Sequence, residues 1–357
     1  MSEFSTILAT SLASITPLDR AAMEQARQRQ QQLTKPAGSL GRLEEIAIQI
    51  AGMQQTPVPR INHKAVIVMA GDHGVTREGV SAYPAAVTPQ MVLNFLQGGA
   101  AINALARQAN VQMIIVDVGV AAELSHPGLL SRKVAYGTAN MAQGPAMTPE
   151  QMMQALLVGI ETAHATIAQG ADLLAIGEMG IGNTTAASAI AAALLQLPVS
   201  ELTGYGTGID EEQRQHKVRV IEQALAVNQP DPLNPLEVLR CVGGLEIAGL
   251  VGVLIGAVEH RVPVVIDGFI STAAALVAST LHPTIREYLF AGHASVERGH
   301  RLILERLELR PLLQLDMRLG EGTGAVLAMQ IVEAAVCTHS EMATFAEAGV
   351  SDRPEHA

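Results

Sequence analysis

The sequence predicts an α/β protein whose core is a doubly wound parallel sheet, with a second, smaller helical domain formed from both chain ends. Three observations lead to this prediction: short apolar runs, helical patterns between these runs, and further helical patterns at the two termini. A continuous apolar run of four to seven residues, as found here, is typical of a strand buried on both faces. Strands that alternate with helices form parallel sheets with crossover helices, so the order of segments indicates this fold class.

The predicted strands follow one another through the central part of the chain. They are the runs KAVIVMAG, VQMIIVDVG, ADLLAIG and VPVVIDG, at Lys64–Gly71, Val111–Gly119, Ala171–Gly177 and Val262–Gly268. The helical patterns between them include residues 98–110, 148–170 and 184–197. The runs end in Gly or Asp-Gly, at the carboxyl edge where open α/β sheets bind ligands. We therefore expect the functional site along that edge.

Helical patterns at both ends predict the smaller domain. Residues 20–33 and 41–53 are helical in pattern, and so is the stretch from about Thr323 onward. We expect residues 1–60 and about 325–357 to form a small helical domain, with residues 61–324 as the large catalytic domain. The final stretch, SDRPEHA, is expected to be a frayed tail.

Charge and hydropathy argue against several classes of function. The formal net charge of −11 over 357 residues argues against nucleic acid or an anionic membrane as the main partner, because phosphate binding needs a basic face. An anionic ligand must therefore be held by local donors. The longest apolar run, Ile247–Val258, is shorter than the roughly 20 residues of a membrane-spanning helix. We interpret it as a buried helix and expect no membrane span.

Cysteine usage and the N-terminus indicate the compartment. Cys241 and Cys337 lie far apart and form no CxxC pair, so the sequence predicts neither a disulfide framework nor a thiolate zinc site. The N-terminal stretch has an acid at Glu3 and no basic lead, which does not fit a secretory signal. Both observations indicate a cytoplasmic protein.

The stretch AIGEMGIGNTTAAS, Ala175–Ser188, is the strongest local chemical signal. A predicted strand ends at Gly177, a glycine turn follows, and Asn183, Thr184 and Thr185 open an Ala-rich helix. Free N–H groups at a helix start, backed by hydroxyls and glycine backbone, can bind a phosphate group. The alternative is an ordinary N-cap after a tight turn. The stretch is neither a Walker loop nor a GxGxxG motif.

Further candidates are weaker when taken singly. GYGTGID, Gly204–Asp210, is a second glycine-rich loop that could approach a flat ligand or simply turn the chain. Lys217 could supply charge to a phosphate, although a lone lysine on a helix is usually solvated. His73 and His293 both follow strand-like runs but lack any spacing typical of metal ligands, so we expect no metal.

Covalent catalysis is not indicated either, since there is no GxSxG elbow and neither cysteine has the context of a nucleophile. The remaining candidates are carboxylates on glycine loops, namely Glu178, Asp267 and Glu321.

Five motifs in a fixed order carry a family resemblance. KPAGSLGRLE, AGDHGV, GEMGIGNTT, DGF and MRLGEGTGA, spread between about Lys35 and Thr338, resemble the nicotinate-nucleotide–dimethylbenzimidazole phosphoribosyltransferases. The resemblance implies transfer of the 5-phosphoribosyl group from nicotinate mononucleotide to 5,6-dimethylbenzimidazole, giving α-ribazole 5′-phosphate and nicotinate for the lower ligand of cobalamin. It also implies a Rossmann-like fold with a small helical domain built from both chain ends, and a homodimer. We expect activity without a cofactor or metal, since no metal-ligand spacing is present.

The resemblance assigns the role of general base to Glu321. The attacking ring nitrogen of the benzimidazole gains positive charge until the opposite N–H proton departs, and a carboxylate beside that N–H would remove it. General-base assistance typically contributes about 10²–10⁴-fold. The alternative is that Glu321 only favours the positive end of the following helix, an effect of roughly 0.3–1 kcal/mol that would lower its pKa.

The resemblance also implies the binding residues. Glu178 lies close to the ribose, where a carboxylate could orient hydroxyls or stabilise cationic character. The phosphate and nucleotide contacts are expected at Gly180, Asn183, Thr184, Thr185, Lys217, Gly204, Gly206, Asp267 and Ser295. The incoming base is expected near Tyr83, Gln90 and Leu319.

Two other classes of function stay open at this point. A dinucleotide-dependent oxidoreductase would use a similar sheet but should show a glycine fingerprint after the first strand, which AGDHGV does not provide. A non-catalytic nucleotide-binding or sensor protein would need the phosphate loop but not Glu321.

Overall fold

The structure, a computed structural model, describes residues 3–206 and 208–351. Most of the predicted C-terminal tail, residues 352–357, lies outside the described residues, and so do Met1 and Ser2 of the N-terminal stretch.

A parallel sheet forms the centre of the described molecule. Its strands are β1 Lys64–Gly71, β2 Val111–Gly119, β3 Leu129–Ser131, β4 Leu173–Met179, β5 Val264–Ile266 and β6 Leu289–Ala291. Their spatial order is β3-β2-β1-β4-β5-β6, and every neighbouring pair is parallel. The order reverses between β1 and β4, which creates the crevice where doubly wound sheets bind ligands. The predicted α/β fold class is confirmed.

Two of the predicted strands have other bounds in the structure. β1 and β2 match the prediction, whereas β4, Leu173–Met179, is displaced by two residues from the run Ala171–Gly177, and β5, Val264–Ile266, is two residues shorter at each end than Val262–Gly268. β3 and β6, which were not predicted, contain three residues each. A strand of three residues is too short to produce a recognisable pattern.

Helices cover both faces of this sheet. Their bounds are α1 Glu3–Ser14, α2 Arg20–Gln32, α3 Arg42–Gln54, α4 Val87–Gln97, α5 Ala101–Gln108, α6 Pro149–Ala168, α7 Asn183–Leu195, α8 Val199–Leu202, α9 Glu211–Asn228, α10 Pro235–Val242, α11 Leu245–Glu259, α12 Phe269–Leu281, α13 Arg298–Leu307, α14 Thr323–Glu341 and α15 Phe345–Ala348. Short 3₁₀ helices lie at Gly74–Glu78 and Pro283–Tyr288.

The predicted buried helix is α11, which packs closely on α6. A Cβ at Gly159 would lie 1.9 Å from the carbonyl oxygen of Gly249, and one at Gly252 would lie 1.9 Å from that of Leu156. The two helix backbones can approach this closely only because glycine occupies these positions. Throughout the described ranges, every helix is too short or too polar to traverse a bilayer.

The two chain ends contact each other. Helix α14 packs against α3, and His339 near its end bonds to Gln30 Nε2 and to the carbonyl oxygen of Pro57, at 2.8 Å each. Helix α14 also packs against β4 and β5. Because α14 belongs to the sheet core as much as to the terminal helices, the division into 1–60 plus 325–357 and 61–324 stays a prediction.

Candidate active site

A cavity of about 380 Å³ opens at the carboxyl ends of β4, β5 and β6. It therefore lies along the edge of the sheet where the sequence places function. The residues that line it come from segments far apart in the chain: Tyr83, Val87, Met91, Glu178, Met179, Gly180, Ile181, Asn183, Thr184, Gly206, Gly268, Phe269, Ile270, His293, Ser295, Glu297, Arg318, Leu319, Gly320 and Glu321.

The loop that carries Glu321 is left-handed and firmly held. Gly320, Glu321 and Gly322 have φ angles of +88°, +65° and +91°. A non-glycine residue in this region is strained and persists only where its surroundings impose the conformation. Asp267, after β5, accepts hydrogen bonds from the backbone N–H groups of Gly322 at 3.1 Å and Ala325 at 3.0 Å. Its carboxylate thus fixes the loop and satisfies free N–H groups at the start of α14.

Strand β4 supports the same loop from the other side. A Cβ at Gly177 would lie 2.3 Å from the carbonyl oxygen of Glu321, so only glycine lets the loop rest on the strand. The position of Glu321 is therefore fixed by β4 and by the residue that follows β5.

Glu321 has the protonation behaviour of a base that works near neutrality. Its side chain is 6% exposed, and Oε2 has no hydrogen-bond partner in the described part of the chain. Burial raises the pKa of Glu321 to about 7, and the carboxylate of Asp267 adds to this effect, while the backbone N–H of Ile102 opposes it. Stabilisation by the helix start alone would lower the pKa, so burial outweighs the influence of the helix.

Glu178, near the end of β4, is the second buried carboxyl group of the cavity. Asn183 Nδ2 donates a hydrogen bond to its Oε2, and a Cβ at Gly320 would lie 2.5 Å from its Oε1. Burial raises the pKa of Glu178 to about 8, and the charges of Glu246, Asp267 and Glu321 add to it. Carboxyl groups thus lie both in the wall of the cavity and behind it, and this arrangement favours a ligand that carries positive charge.

The predicted phosphate turn joins β4 to α7. Helix α7 begins at Asn183, as predicted, and its N-cap, Gly182, has φ +97° and provides no side chain to cap the first turn. N–H groups at the helix start are left for other acceptors, such as a phosphate. The turn is held by Thr88, whose Oγ1 accepts from the backbone N–H of Ile181 at 3.1 Å.

Lys217 is brought to this turn from α9. Its side chain is 2% exposed, and Nζ donates to Thr184 Oγ1 at 2.7 Å. Burial lowers the pKa of Lys217 to about 8, although the carboxylate of Glu297 opposes this. A Cβ at Gly206 would lie 3.5 Å from Nζ, so the second glycine loop also reaches the lysine. The structure thus brings Lys217, Thr184 and Gly206 together.

The remaining predicted residues lie at different depths. Ser295 lines the cavity, and Tyr83 and Leu319 line its exposed mouth. Five predicted residues do not line it. They are Thr185, which is fully buried in α7, Lys217, whose Nζ contacts Thr184, Gly204, Asp267 behind the Glu321 loop, and Gln90, which is exposed on α4.

Glu297 and Arg318 line the cavity but were not predicted. Burial raises the pKa of Glu297, and the charge of Lys217 and the backbone N–H of Gly206 oppose this. A Cβ at Gly204 would lie 1.9 Å from Glu297 Oε2, which explains the glycine. Arg318 lies within the motif MRLGEGTGA, so the motif could have identified it as a candidate site residue. Glu297 lies in no motif that would have identified it.

His293 also lines the cavity and is buried, with Nε2 3.5 Å from Asp267 Oδ1. Among the described residues, no group of three or more His, Cys, Asp or Glu side chains is arranged to hold a metal ion. That activity needs no metal stays a prediction.

Comparisons with known proteins agree with one another. A family model described as "Phosphoribosyltransferase" matches residues 15–350. A nicotinate-nucleotide–dimethylbenzimidazole phosphoribosyltransferase of Chloroflexus aggregans is 61% identical over 350 residues, covering 98% of this chain and 99% of that protein. The one from Geobacter sulfurreducens is 54% identical over 348 residues, covering 97% and 99%. A crystal structure of such an enzyme from Thermus thermophilus superposes with a TM-score of 0.89 at 54% identity, covering 94% of this chain and 100% of that one.

Proposed function

We propose that Glu321 is the general base of a phosphoribosyl transfer. The chain belongs to the nicotinate-nucleotide–dimethylbenzimidazole phosphoribosyltransferase family. The enzyme moves the 5-phosphoribosyl group from nicotinate mononucleotide to 5,6-dimethylbenzimidazole, giving α-ribazole 5′-phosphate and nicotinate. The alternatives of an oxidoreductase and a non-catalytic sensor have no support among the relatives.

The chemistry needs one base and no covalent intermediate. A ring nitrogen of dimethylbenzimidazole forms the new bond to C1′ of the ribose as the bond from C1′ to nicotinate breaks. The electron pair of that bond leaves with nicotinate, and the N–H proton of the benzimidazole passes to Glu321. The observation that carries this proposal is the buried carboxyl group of Glu321, whose pKa is raised to about 7. It lines the same cavity as Gly180 and Thr184 of the phosphate turn. A base of this pKa is partly ionised at neutral pH and strong enough to accept the proton.

Glu178 acts on the nucleotide in this proposal. Nicotinate mononucleotide carries a pyridinium cation, and positive charge spreads onto the ribose as the bond breaks. Glu178 is buried beside the Glu321 loop, so its carboxylate would orient ribose hydroxyls and stabilise this charge. Its raised pKa of about 8 applies to the cavity without a cation, and a bound pyridinium would lower it.

The 5′-phosphate is assigned to the turn before α7. Backbone N–H groups of this turn, among them those of Gly180 and Thr184, would bind it, and Lys217 would balance its charge from the side of Thr184. Asn183 bonds to Glu178, so the turn connects the phosphate with the reacting ribose. Thr185 would contribute through its place in the first helical turn, since its side chain is fully buried.

The remaining predicted residues have supporting roles. Gly206 and Ser295 would contact the nucleotide, and Gly204 would make room for Glu297. Asp267 would act through the Glu321 loop that it holds. The incoming benzimidazole would enter at the mouth of the cavity, with contacts to Tyr83 and Leu319. Gln90 does not line the cavity, so its contact with the benzimidazole has no support from the lining residues.

We further propose that the chain forms a homodimer in the cytoplasm and that its terminal helices form the small domain. The support for a dimer is the family resemblance together with exposed apolar side chains at the cavity mouth, among them Tyr83 and Leu319. Light scattering after size-exclusion chromatography measures the oligomeric state, and a monomer at micromolar concentration would contradict the proposal.

Release of free nicotinate, followed by chromatography, tests the catalytic assignment. The wild-type protein should release it only when both substrates are present. Glu321→Gln keeps the size of the side chain but cannot accept the proton, so nicotinate release should fall by about 10²-fold or more. Glu222→Gln, at an exposed position of α9, is the matched control and should leave the rate unchanged. Near-normal release by Glu321→Gln would remove Glu321 from the role of base.

A further inference from the structure

A buried imidazole–carboxylate pair lies at the point where the strand order reverses. His73 Nε2 is 2.6 Å from Glu246 Oε1, and the two residues are 3% and 0% exposed. His73 follows β1, and Glu246 lies in the first turn of α11. The pair therefore ties the end of the central strand to a helix that packs against the sheet. Neither residue lines the cavity.

The phosphate turn rests directly on this imidazole. A Cβ at Gly180 would lie 3.4 Å from both Cδ2 and Nε2 of His73, and one at Gly182 would lie 3.2 Å from the Cβ of His73. The Cβ at Gly180 would also lie 2.3 Å from the carbonyl oxygen of Gly71, so any residue larger than glycine at position 180 would clash with the backbone. The imidazole is thus the surface on which the backbone of the turn lies.

Backbone also encloses the pair on its other side. A Cβ at Gly244 would lie 2.3 Å from His73 Cε1 and 2.6 Å from Glu246 Oε2, and one at Gly71 would lie 3.1 Å from Glu246 Oε2. With glycine backbone packed on both sides, the ring has no free space into which it could shift. Close-packed interiors transmit such displacements instead of absorbing them. A change in the pair must therefore move the turn.

We propose that His73, held in place by Glu246, is a positioning residue that sets the geometry of the Gly180–Gly182 turn for the 5′-phosphate of the nucleotide. The inference deepens the proposed function and rests on the assignment of this turn to phosphate. His73 would act through the backbone of the turn without touching the substrate.

The charges around the pair support this role. Burial alone lowers the pKa of His73, but the Glu246 carboxylate and Asp72 outweigh it, so the pKa is raised. The imidazolium is thus present below this raised pKa and is lost as the pH rises through it. Among the described residues, the titratable groups that act on the pair are Asp72 from the same segment and Glu178 from β4. An imidazolium under the turn adds a second buried cation to the one that Lys217 brings to Thr184.

The test compares substrates with and without the phosphate. Glu246→Gln keeps the shape and a hydrogen bond to His73 but removes the charge that holds the imidazolium. With nicotinate mononucleotide, kcat/KM should fall about tenfold, mainly through KM, as expected for residues coupled through a shared contact. With nicotinate riboside, which lacks the phosphate, the same variant should match the wild type. His73→Gln should behave in the same way.

The matched control is Glu259→Gln at the other end of α11. Glu259 also pairs with a histidine, His164 at 3.0 Å, but this pair is partly exposed and remote from the turn. The control should leave kcat/KM unchanged with both substrates. An equal loss of Glu246→Gln on both substrates, or no loss relative to the control, would overturn the inference.

A binding measurement separates this inference from the proposed function. Calorimetric titration with inorganic phosphate needs no turnover, and Glu246→Gln should weaken phosphate binding by a factor similar to its effect on KM. If the wild type releases no nicotinate but still binds phosphate more tightly than Glu246→Gln, the reaction assignment fails and the role of the pair stands. If phosphate binds equally well to both proteins, the role of the pair is refuted.

Discussion

Replacing Lys217 with methionine should weaken binding of nicotinate mononucleotide and at the same time stabilise the fold. Lys217 is a buried lysine whose Nζ donates a hydrogen bond to Thr184 Oγ1 at 2.7 Å, and burial brings its pKa from 10.5 down to about 8. Methionine fills a similar volume without a charge. Loss of a charged hydrogen bond to phosphate, about 1.5–3 kcal/mol, corresponds to a rise of roughly ten- to a hundredfold in KM for nicotinate mononucleotide. The phosphate is remote from the breaking bond, so kcat should change much less.

The same change should stabilise the fold at neutral pH. A pKa that falls from 10.5 to about 8 on folding means that keeping the ammonium charged costs about 3 kcal/mol, at about 1.4 kcal/mol per pKa unit. The lost bond to Thr184 offsets about 1 kcal/mol of this gain, which leaves an increase of a few degrees in Tm. Because the folded pKa lies below the unfolded one, the cost is complete below about pH 8 and disappears as the pH rises towards 10.5.

Steady-state kinetics and thermal melts at pH 7 and pH 10 check both effects. Lys64→Met is the control, because Lys64 is also buried but has a carboxylate partner, Glu333, 2.5 Å from its Nζ. The control should leave KM unchanged and should not raise Tm. An unchanged nucleotide KM in Lys217→Met would remove Lys217 from the phosphate site. A Tm that falls at pH 7 would show that the hydrogen bond of the ammonium outweighs the cost of burying its charge.

Three further predictions follow from the site. Because the pKa of Glu321 in the ligand-free protein is raised to about 7, its carboxylate is lost as the pH falls through that value. Wild-type kcat/KM for nicotinate mononucleotide, which reports the free enzyme, should therefore decline below about pH 7, and the residual kcat/KM of Glu321→Gln should lack this decline; an identical pH profile for both proteins would contradict it. Gly177→Ala should lower both kcat and Tm, since its Cβ would lie 2.3 Å from the Glu321 carbonyl oxygen, whereas Gly144→Ala, with nothing within 4 Å, should change neither. Activity should survive dialysis against EDTA, because the proposed transfer uses a carboxylate base and a lysine; a complete loss that Mg²⁺ or Zn²⁺ restores would refute this.

The sequence predicted those parts of the fold that have a local signal. β1 and β2 are long apolar runs, and α7 begins at Asn183 because the glycine turn before it allows no earlier start. β3 and β6 contain three residues each and derive their place from pairing with longer neighbours, which no local pattern shows. The direction of the pKa shift of Glu321 could not be predicted either, because burial and the start of α14 act on it in opposite directions.

Contacts between distant segments explain what the sequence could not show about the site. His73 and Glu246 are 173 positions apart, and Asp267 reaches the N–H groups of Gly322 and Ala325 across 55 and 58 positions. Asp267 carries a strand-end signal that suggests a ligand contact, yet both of its oxygens bond to backbone. A carboxylate that holds a loop and one that binds a ligand look alike in sequence, and only the partner distinguishes them.

The balance of charge in the cavity connects binding with catalysis. Glu178 and Glu321 have pKa values raised to about 8 and about 7, so in the empty cavity both carboxyl groups are largely or partly protonated at neutral pH. A pyridinium cation bound beside them would favour their ionised forms and lower both pKa values. In the proposed mechanism, the nucleotide thereby creates the carboxylate that the benzimidazole N–H requires. When nicotinate leaves, it takes the electron pair of the broken bond, and in this proposal the proton from the benzimidazole returns Glu321 to the neutral form that the buried, cation-free cavity favours.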